Sequence, residues 1–298
     1  RMCEEQEDFM IRKIRKKKNK LWIYSRILYL TVIVGVCIWI YLSQYQLVVE
    51  KYTVISPKIQ ETIRVVQLSD LHNRSFGKDN EKLIKMVEEL TPDIICMTGD
   101  MLNRNEESLD VVENLVKQLS DMAPVYFSYG NHEEDYEDYY QTSIRDKIEK
   151  AGATVLDNES IETVIGNTMI NIGGASQYGM IEPRGNGDEY QFLKQYEESD
   201  DFKLLLCHIP AGMLLWRGLE LWNVDLVLSG HEHGGQIIVP GIGGLYSQDE
   251  GFFPEYTEGI FTENGHTLIL SRGLGSGNIV PRINNTSEIV CINLEPSA

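Results

Sequence analysis

Positive charge is scarce in this chain. It has 27 Lys and Arg against 45 Asp and Glu, a formal net charge of -18 over 298 residues. Eight of the basic residues fall in the first twenty positions, and Arg26 adds one more. The remainder carries 18 basic and 41 acidic residues. Such a body repels nucleic acid, so no nucleic-acid partner is expected. An anionic ligand could bind such a body only where local positive charge offsets it. Cysteine is sparse too. Cys3, Cys37, Cys96, Cys207 and Cys291 form no CxxC and no zinc-ribbon spacing. Cys96, Cys207 and Cys291 lie in apolar, strand-like runs, which favours buried small hydrophobes over disulfides. There is no internal repeat and no low-complexity segment. A hydrophobic fraction of 42% excludes wholesale disorder and a polytopic membrane protein.

Long apolar runs are limited to one. Ile27–Leu42 carries no charge, and the uncharged stretch extends to Val49. As a helix it is long enough to cross about 30 Å of hydrocarbon. Lys20 and Arg26 can snorkel at one end, and Trp39, Tyr41 and Tyr45 can sit at the other interface. The basic run Arg12–Lys20 precedes it, which predicts a cytoplasmic N-terminus and everything after about Gln44 on the extracytoplasmic side. A cleaved signal peptide would need a small-residue cleavage site, and SQYQLVVEKY offers none. The expected organisation is a basic tail over 1–20, a transmembrane anchor over 21–45, a connector over 46–60 and a folded domain over 61–298.

Within that domain, buried strands alternate with amphipathic helices. Ile63–Leu68, Asp93–Met97 and Val125–Tyr129 read as strands, with helices over Glu81–Leu90, Leu109–Leu119 and Tyr139–Lys150. The rhythm then shifts to short strands at Thr154–Leu156, Ile161–Ile165 and Thr168–Ile172, the last two joined by a Gly166-Asn167 turn. Phe202–Cys207 and Val224–Leu228 are buried strands around a helix-like Met213–Leu221. Ile237–Val239, Thr267–Leu270 and Ile289–Leu294 complete the set. The predicted fold class is α/β, with sheets packed on each other as a β-sandwich core flanked by helices and preceded by one transmembrane helix.

Histidine is also rare, six in all, and five of the six sit in short motifs at strand ends. These are Asp70-Leu-His72, Gly99-Asp100, Gly130-Asn131-His132, His208 and Gly230-His231-Glu-His233. Loops at strand ends project functional groups from a rigid sheet. One such His or Asp alone is usually a cap or turn residue. Five in this order are not.

The set DLH, GDMLN, GNHE, CHIP and GHEH resembles the calcineurin-like metallophosphoesterases, over roughly residues 61–294. The resemblance implies a dinuclear metal centre. One ion would be held by Asp70, His72 and His233, the other by Asn131, His208 and His231, and Asp100 would bridge both. His132 would face substrate rather than metal. Asn103 stands where many members carry Asp, at a position that is not a ligand. Imidazole, carboxylate and amide donors suit Mn, Fe, Zn or Co rather than Ca. Two such ions about 3.5–4 Å apart activate a water and clamp phosphoryl oxygens. His132 could then protonate the leaving oxygen or stabilise charge on the phosphate.

Outside the motifs, GHEHGGQIIVP, SRGLG and PRxxN look like the membrane-associated branch that includes bacterial phosphodiesterases and one type of UDP-2,3-diacylglucosamine hydrolase. Gly234 would let the backbone approach a ligand, and Arg272 and Arg282 are candidate phosphate contacts, with plain ion pairs as the alternative. Tyr246, Phe252, Phe253, Tyr256 and Phe261 form either a packed loop or an aromatic wall for a lipid or sugar-nucleotide group. Glu133–Tyr140 can line the mouth or simply begin a solvated helix. His266 has no motif. The expected function is phosphodiester hydrolysis on a small or lipid-linked substrate at a membrane surface. Alternatives are a pyrophosphatase of a nucleotide-sugar lipid, a protein phosphatase, or a metal-binding scaffold without activity.

Overall fold

The computed structural model describes residues 2–175, 187–277 and 280–297. The chain divides into two units, 1–42 and 43–298. The first is occupied by helix α1, Met2–Tyr45. Its segment Arg15–Tyr45, 31 residues, contains a stretch long and apolar enough to cross a membrane or to serve as a signal sequence.

The second unit takes in the last helical residues, 43–45, and its first strand follows at once. Leu47–Ser56 (β1), expected as part of a connector, pairs along its full length with a C-terminal strand. Its β-branched residues and alternating exposure suit an edge position. Then follow Ile63–Leu68 (β2), Glu81–Leu90 (α2), Ile94–Thr98 (β3), Asp110–Ser120 (α3) and Val125–Ser128 (β4). The helix expected over Tyr139–Lys150 is two helices, Asn131–Tyr140 (α4) and Arg145–Ala151 (α5). They are separated at Gln141, which sits at φ 51° and ends the first. Ala153–Leu156 (β5), Glu159–Ile165 (β6), Thr168–Ala175 (β7), Asp188–Tyr196 (α6) and Phe202–Cys207 (β8) come next. The helix expected over Met213–Leu221 is likewise broken. Ala211–Leu214 (α7) and Gly218–Leu221 (α8) flank Arg217 at φ 63°. Leu226–Ser229 (β9) is followed by four two-residue strands, Ile238–Val239, Gly243–Gly244, Tyr246–Ser247 and Gly251–Phe252 (β10 to β13). Gly259–Glu263 (β14), His266–Leu270 (β15) and Ser287–Pro296 (β16) complete the order.

Two six-stranded sheets result, ordered β1-β16-β2-β3-β4-β5 and β14-β15-β9-β8-β7-β6. Strands β2 to β5, and β7, β8, β9 and β15, run parallel. Alternation along each strand decides what faces what. Val65, Cys96, Leu204, Leu206 and Leu228 pack between the sheets. Val66, Leu68, Ile95 and Met97 face Leu83, Val87, Leu115 and Val116 of α2 and α3. Leu205, Cys207 and Val227 face Leu193, Tyr196 and Leu219 of α6 and α8. The architecture is therefore α/β with a two-sheet core and helices outside. Cys96, Cys207 and Cys291 are buried free thiols. The loops that follow β2, β3, β4, β8 and β9 all leave the carboxyl ends of parallel strands, and these are the loops that carry the motifs.

Candidate active site

Backbone hydrogen bonds lock the motif loops to each other. Asp70 N–H donates to Gly99 O at 3.0 Å, His72 N–H to Asp100 O at 3.0 Å, and Gly230 N–H to His208 O at 3.0 Å. His132 N–H donates to Asp100 Oδ1 at 2.8 Å, and His231 N–H to Asp70 Oδ1 at 3.0 Å. The approach of the β3 and β4 loops leaves no room beside Gly130, where a Cβ would run into Asp100. Asp70, His72, Asp100, His231 and His233 all adopt positive φ, between 48° and 73°. That conformation is costly for residues other than glycine, and it concentrates where a fixed geometry is needed.

The side chains converge. His72 Nε2 lies 3.3 Å from His233 Nε2, and His233 Nε2 lies 3.6 Å from Asp70 Oδ1. His208 Nε2 is 3.3 Å from Asp100 Oδ2 and 3.9 Å from Asp70 Oδ1. Asp70, His72 and His233 form one group that can hold a cation, and Asp100, His208 and His231 another. Asp100, from the second group, lies 3.8 Å from His72 of the first. Asn131 Oδ1 and His208 Nε2 are buried with no hydrogen-bond partner. The other nitrogen of His208, Nδ1, donates to Thr98 O at 2.7 Å, which turns Nε2 toward Asp100 and the cluster. Asn103 donates to His72 O at 3.0 Å, so its amide braces a motif loop.

Burial gives these groups unequal acidities. It raises Asp70, against the pull of His208. It also opposes ionised Asp100, but His208, His72 and His132 outweigh it and hold that carboxyl well below the usual range. For His208 burial is overcome by Asp100 and Asp70, and the ring stays protonated above its ordinary pKa. Burial drives His72 and His231 down to about 3, and His233 well below its normal value. Neutral imidazole is the form that ligates a metal. Orphaned buried donors of mixed nitrogen and oxygen type fit two transition-metal ions better than a hydrogen-bonded network.

A cavity of about 380 Å³ opens on the cluster, lined by His72, Asp100, Asn131, His132, His231 and His233 together with Arg104 and Gln248. Arg104 escaped the sequence reading, although it directly follows the GDMLN block. Its Nη2 lies 2.9 Å from His132 Nε2, and its other arm pairs with Asp135. His132 is pushed down by burial, opposed by Asp100, with Arg104 reinforcing the downward shift. Glu133 was read only as part of the GNHE block and an acidic run, and Asp249 was missed. Both Glu133 oxygens accept backbone N–H groups: Asp100 at 2.7 Å, Gly130 at 2.8 Å, Met101 at 2.8 Å and Leu102 at 3.3 Å. Asp249 Oδ2 stands 3.9 Å from His231 Nε2.

The three expected substrate contacts lie elsewhere. Arg272 is held by Glu50, Glu258 and Glu288 at 2.7–3.1 Å. Arg282 is fully buried and bonds to backbone carbonyls and Asn285. Gly234 does leave space, at φ 61°, but Arg272 and Asn285 fill it. None of the three lines the cavity. The aromatic segment divides. Tyr246 stacks edge-on with Phe252 and lines a neighbouring cavity of about 840 Å³, while Tyr256 and Phe261 pack against the core of the second sheet. Tyr136 is buried, whereas Asp135, Asp138 and Tyr139 border the mouth beside Arg104. His266 has a structural contact, its Nδ1 meeting Val224 O at 2.8 Å.

Known proteins resemble this chain over much of its length. The sequence model of the family described as calcineurin-like phosphoesterase matches residues 63–235, more than half of the chain. An uncharacterized metallophosphoesterase of Aquifex aeolicus is 29% identical over 265 residues, covering 86% of this chain and 94% of that protein. The phosphodiesterase YaeI of Escherichia coli is 26% identical over 218 residues, covering 72% and 75%. Among solved structures, TT1561 of Thermus thermophilus aligns with a TM-score of 0.46 at 13% identity, over 72% of this chain and 90% of that one.

Proposed function

The chain belongs to the calcineurin-like phosphoesterase family, and from that premise we propose that it cleaves phosphodiesters at a two-ion centre held by Asp70, His72, Asp100, Asn131, His208, His231 and His233. The observation that carries this reading is the convergence of two buried groups, Asp70, His72 and His233 and Asp100, His208 and His231, each able to hold a cation, with the buried Asn131 Oδ1 left unpartnered. Mn, Fe, Zn or Co suits the donors. Bound there, the ions would supply Lewis-acid charge to the phosphoryl oxygens and to an attacking water.

The protein's own groups do the rest. Arg104 is the cation nearest His132 on the cavity wall and would orient a phosphate oxygen. At rest it donates to His132 Nε2. A bound phosphate that draws the guanidinium away would leave that nitrogen free to take up a proton from solvent and pass it to the leaving oxygen. Asp100 holds the His132 backbone, so the ring stays registered to the centre.

A small or lipid-linked diester is the preferred substrate. Support comes from the neighbouring cavity, where Ile237, Leu245 and Tyr246 offer apolar surface and Arg104 and Gln248 are shared with the catalytic pocket. The same cavity would serve the lipid of a nucleotide-sugar pyrophosphate. Acidic phosphoproteins fit poorly beside a body of this charge. The basic residues before the apolar segment support an anchored protein with its N-terminus in the cytoplasm and this domain outside.

The test uses bis(p-nitrophenyl) phosphate and p-nitrophenyl phosphate with Mn²⁺, with and without chelator. Diester cleavage that the chelator abolishes and Mn²⁺ restores is expected. Protein that holds two ions per chain yet hydrolyses neither ester overturns the reading.

A further inference from the structure

The two groups of the centre rest on different supports. Glu133 carries the Asp100 loop, and Thr98 O orients His208; both lie within residues 63–235. The other group leans on a segment beyond that match. Asn285 is fully buried, and its Nδ2 donates to His233 O at 2.6 Å and to Gln236 O at 3.1 Å. His233 and Gln236 both sit at positive φ, 48° and 60°, so these two bonds hold a strained turn in place.

Arg282 continues the chain of contacts. Its Nη1 donates to Asn285 Oδ1 at 3.1 Å, and its Nε to Gly275 O at 2.8 Å. Nη2 bonds Arg272 O and approaches His233 Nδ1 to 3.4 Å. Gly275 N–H in turn donates to Asp70 O at 2.5 Å. A single pair of side chains thus ties the backbones of Asp70 and His233. No carboxylate is bonded to this guanidinium among the described residues, an unusual state for a buried cation. Its hydrogen-bonding capacity is spent on carbonyls, as a structural brace requires.

We propose that Arg282 and Asn285 form a positioning clip that sets the affinity of one ion, the one held by Asp70, His72 and His233, separately from the other. The proposal rests on the two-ion reading above. It assigns the block after residue 280 a role in metal loading rather than in substrate contact. Removing the guanidinium outright would mix two effects: a looser site, and relief from a buried positive charge beside a cation. The informative changes therefore keep the charge, namely Asn285→Ala and Arg282→Lys.

The experiment is equilibrium dialysis of the full chain in detergent against graded Mn²⁺, with bound metal measured by elemental analysis. His72→Ala and His208→Ala mark the loss of each ion. Wild type should bind two ions. Asn285→Ala and Arg282→Lys should bind the ion lost in His72→Ala about 10–100-fold more weakly. The ion lost in His208→Ala should keep its affinity. Circular dichroism checks folding, and if Arg282→Lys does not fold, Asn285→Ala decides. Unchanged affinities for both ions overturn the clip. So does equal weakening of both, which a general scaffold role would give. Wild type that binds no Mn²⁺ overturns the two-ion reading itself, a result distinct from either.

Discussion

Replacing Glu133 by Gln tests whether one buried carboxylate holds two motif loops together. Oε2 accepts from Asp100 N–H and Gly130 N–H, and Oε1 from Met101 N–H and Leu102 N–H. A glutamine has one acceptor oxygen and one NH₂ group. Whichever way it is turned, two buried N–H groups lose their acceptor and face a donor instead. Each such group costs about 1–3 kcal/mol, so Glu133→Gln should destabilise by roughly 2–6 kcal/mol. Against a typical total of about 5–15 kcal/mol, that is a large share. Urea unfolding in chelator reads it without interference from bound metal. Activity with Mn²⁺ restored should fall too, because Asp100 is carried by the same loop. A change below about 0.5 kcal/mol would show that the loops do not depend on Glu133, and the reasoning would fail.

Asp100→Asn should keep the fold, lose metal at both positions and abolish diester cleavage; near wild-type turnover with two ions bound would sink the shared-ligand assignment. His132→Ala should retain both ions and lose about 10²–10⁴ in kcat; loss of an ion would contradict its placement. Glu232 predicts a pH effect in the metal-free protein. Burial, with Asp249 adding to it, raises this carboxyl from near 4.5 to about 8. The unfolded chain releases that proton above about 4.5 and the folded one keeps it to about 8, so stability falls as pH rises across the window. The slope is at most about 1.4 kcal/mol per pH unit. Glu232→Gln should remove that slope, so unfolding of the two proteins at pH 5 and pH 7.5 should diverge; a constant difference would refute it.

Strongly periodic segments were legible from the sequence alone. Ile63–Leu68, Glu81–Leu90 and Phe202–Cys207 have the expected limits, because burial on one or both faces dictates their pattern. Left-handed residues were not legible. Gln141 and Arg217 break helices whose apolar spacing continues through them. Asp188–Tyr196 is polar enough to hide, with only Phe192, Leu193 and Tyr196 buried. At the site, the motif residues announce themselves through residue type and strand-end position. Their supports do not. Glu133 reads as one more acid in an acidic helix, and Asn285 as part of a polar loop. What matters about each is which distant backbone it meets, and no local pattern encodes that. Arg272 and Arg282 were conspicuous for their charge, yet carboxylates and carbonyls claim them.

The place of β16 has a consequence for when this domain can come into being. Residues 287–296 lie between β1 and β2, pairing with the first in parallel and with the second antiparallel. About 240 residues separate the end of β1 from the end of β16. At synthesis rates of about 5–20 residues per second, that interval lasts roughly ten to fifty seconds. Throughout it, β2 presents a bare edge and β1 has no neighbour to join. An open edge of this kind invites wrong partners. The nascent chain therefore waits, half-assembled, for β16 to emerge, and a premature stop codon before residue 287 would leave the first sheet unable to close at all.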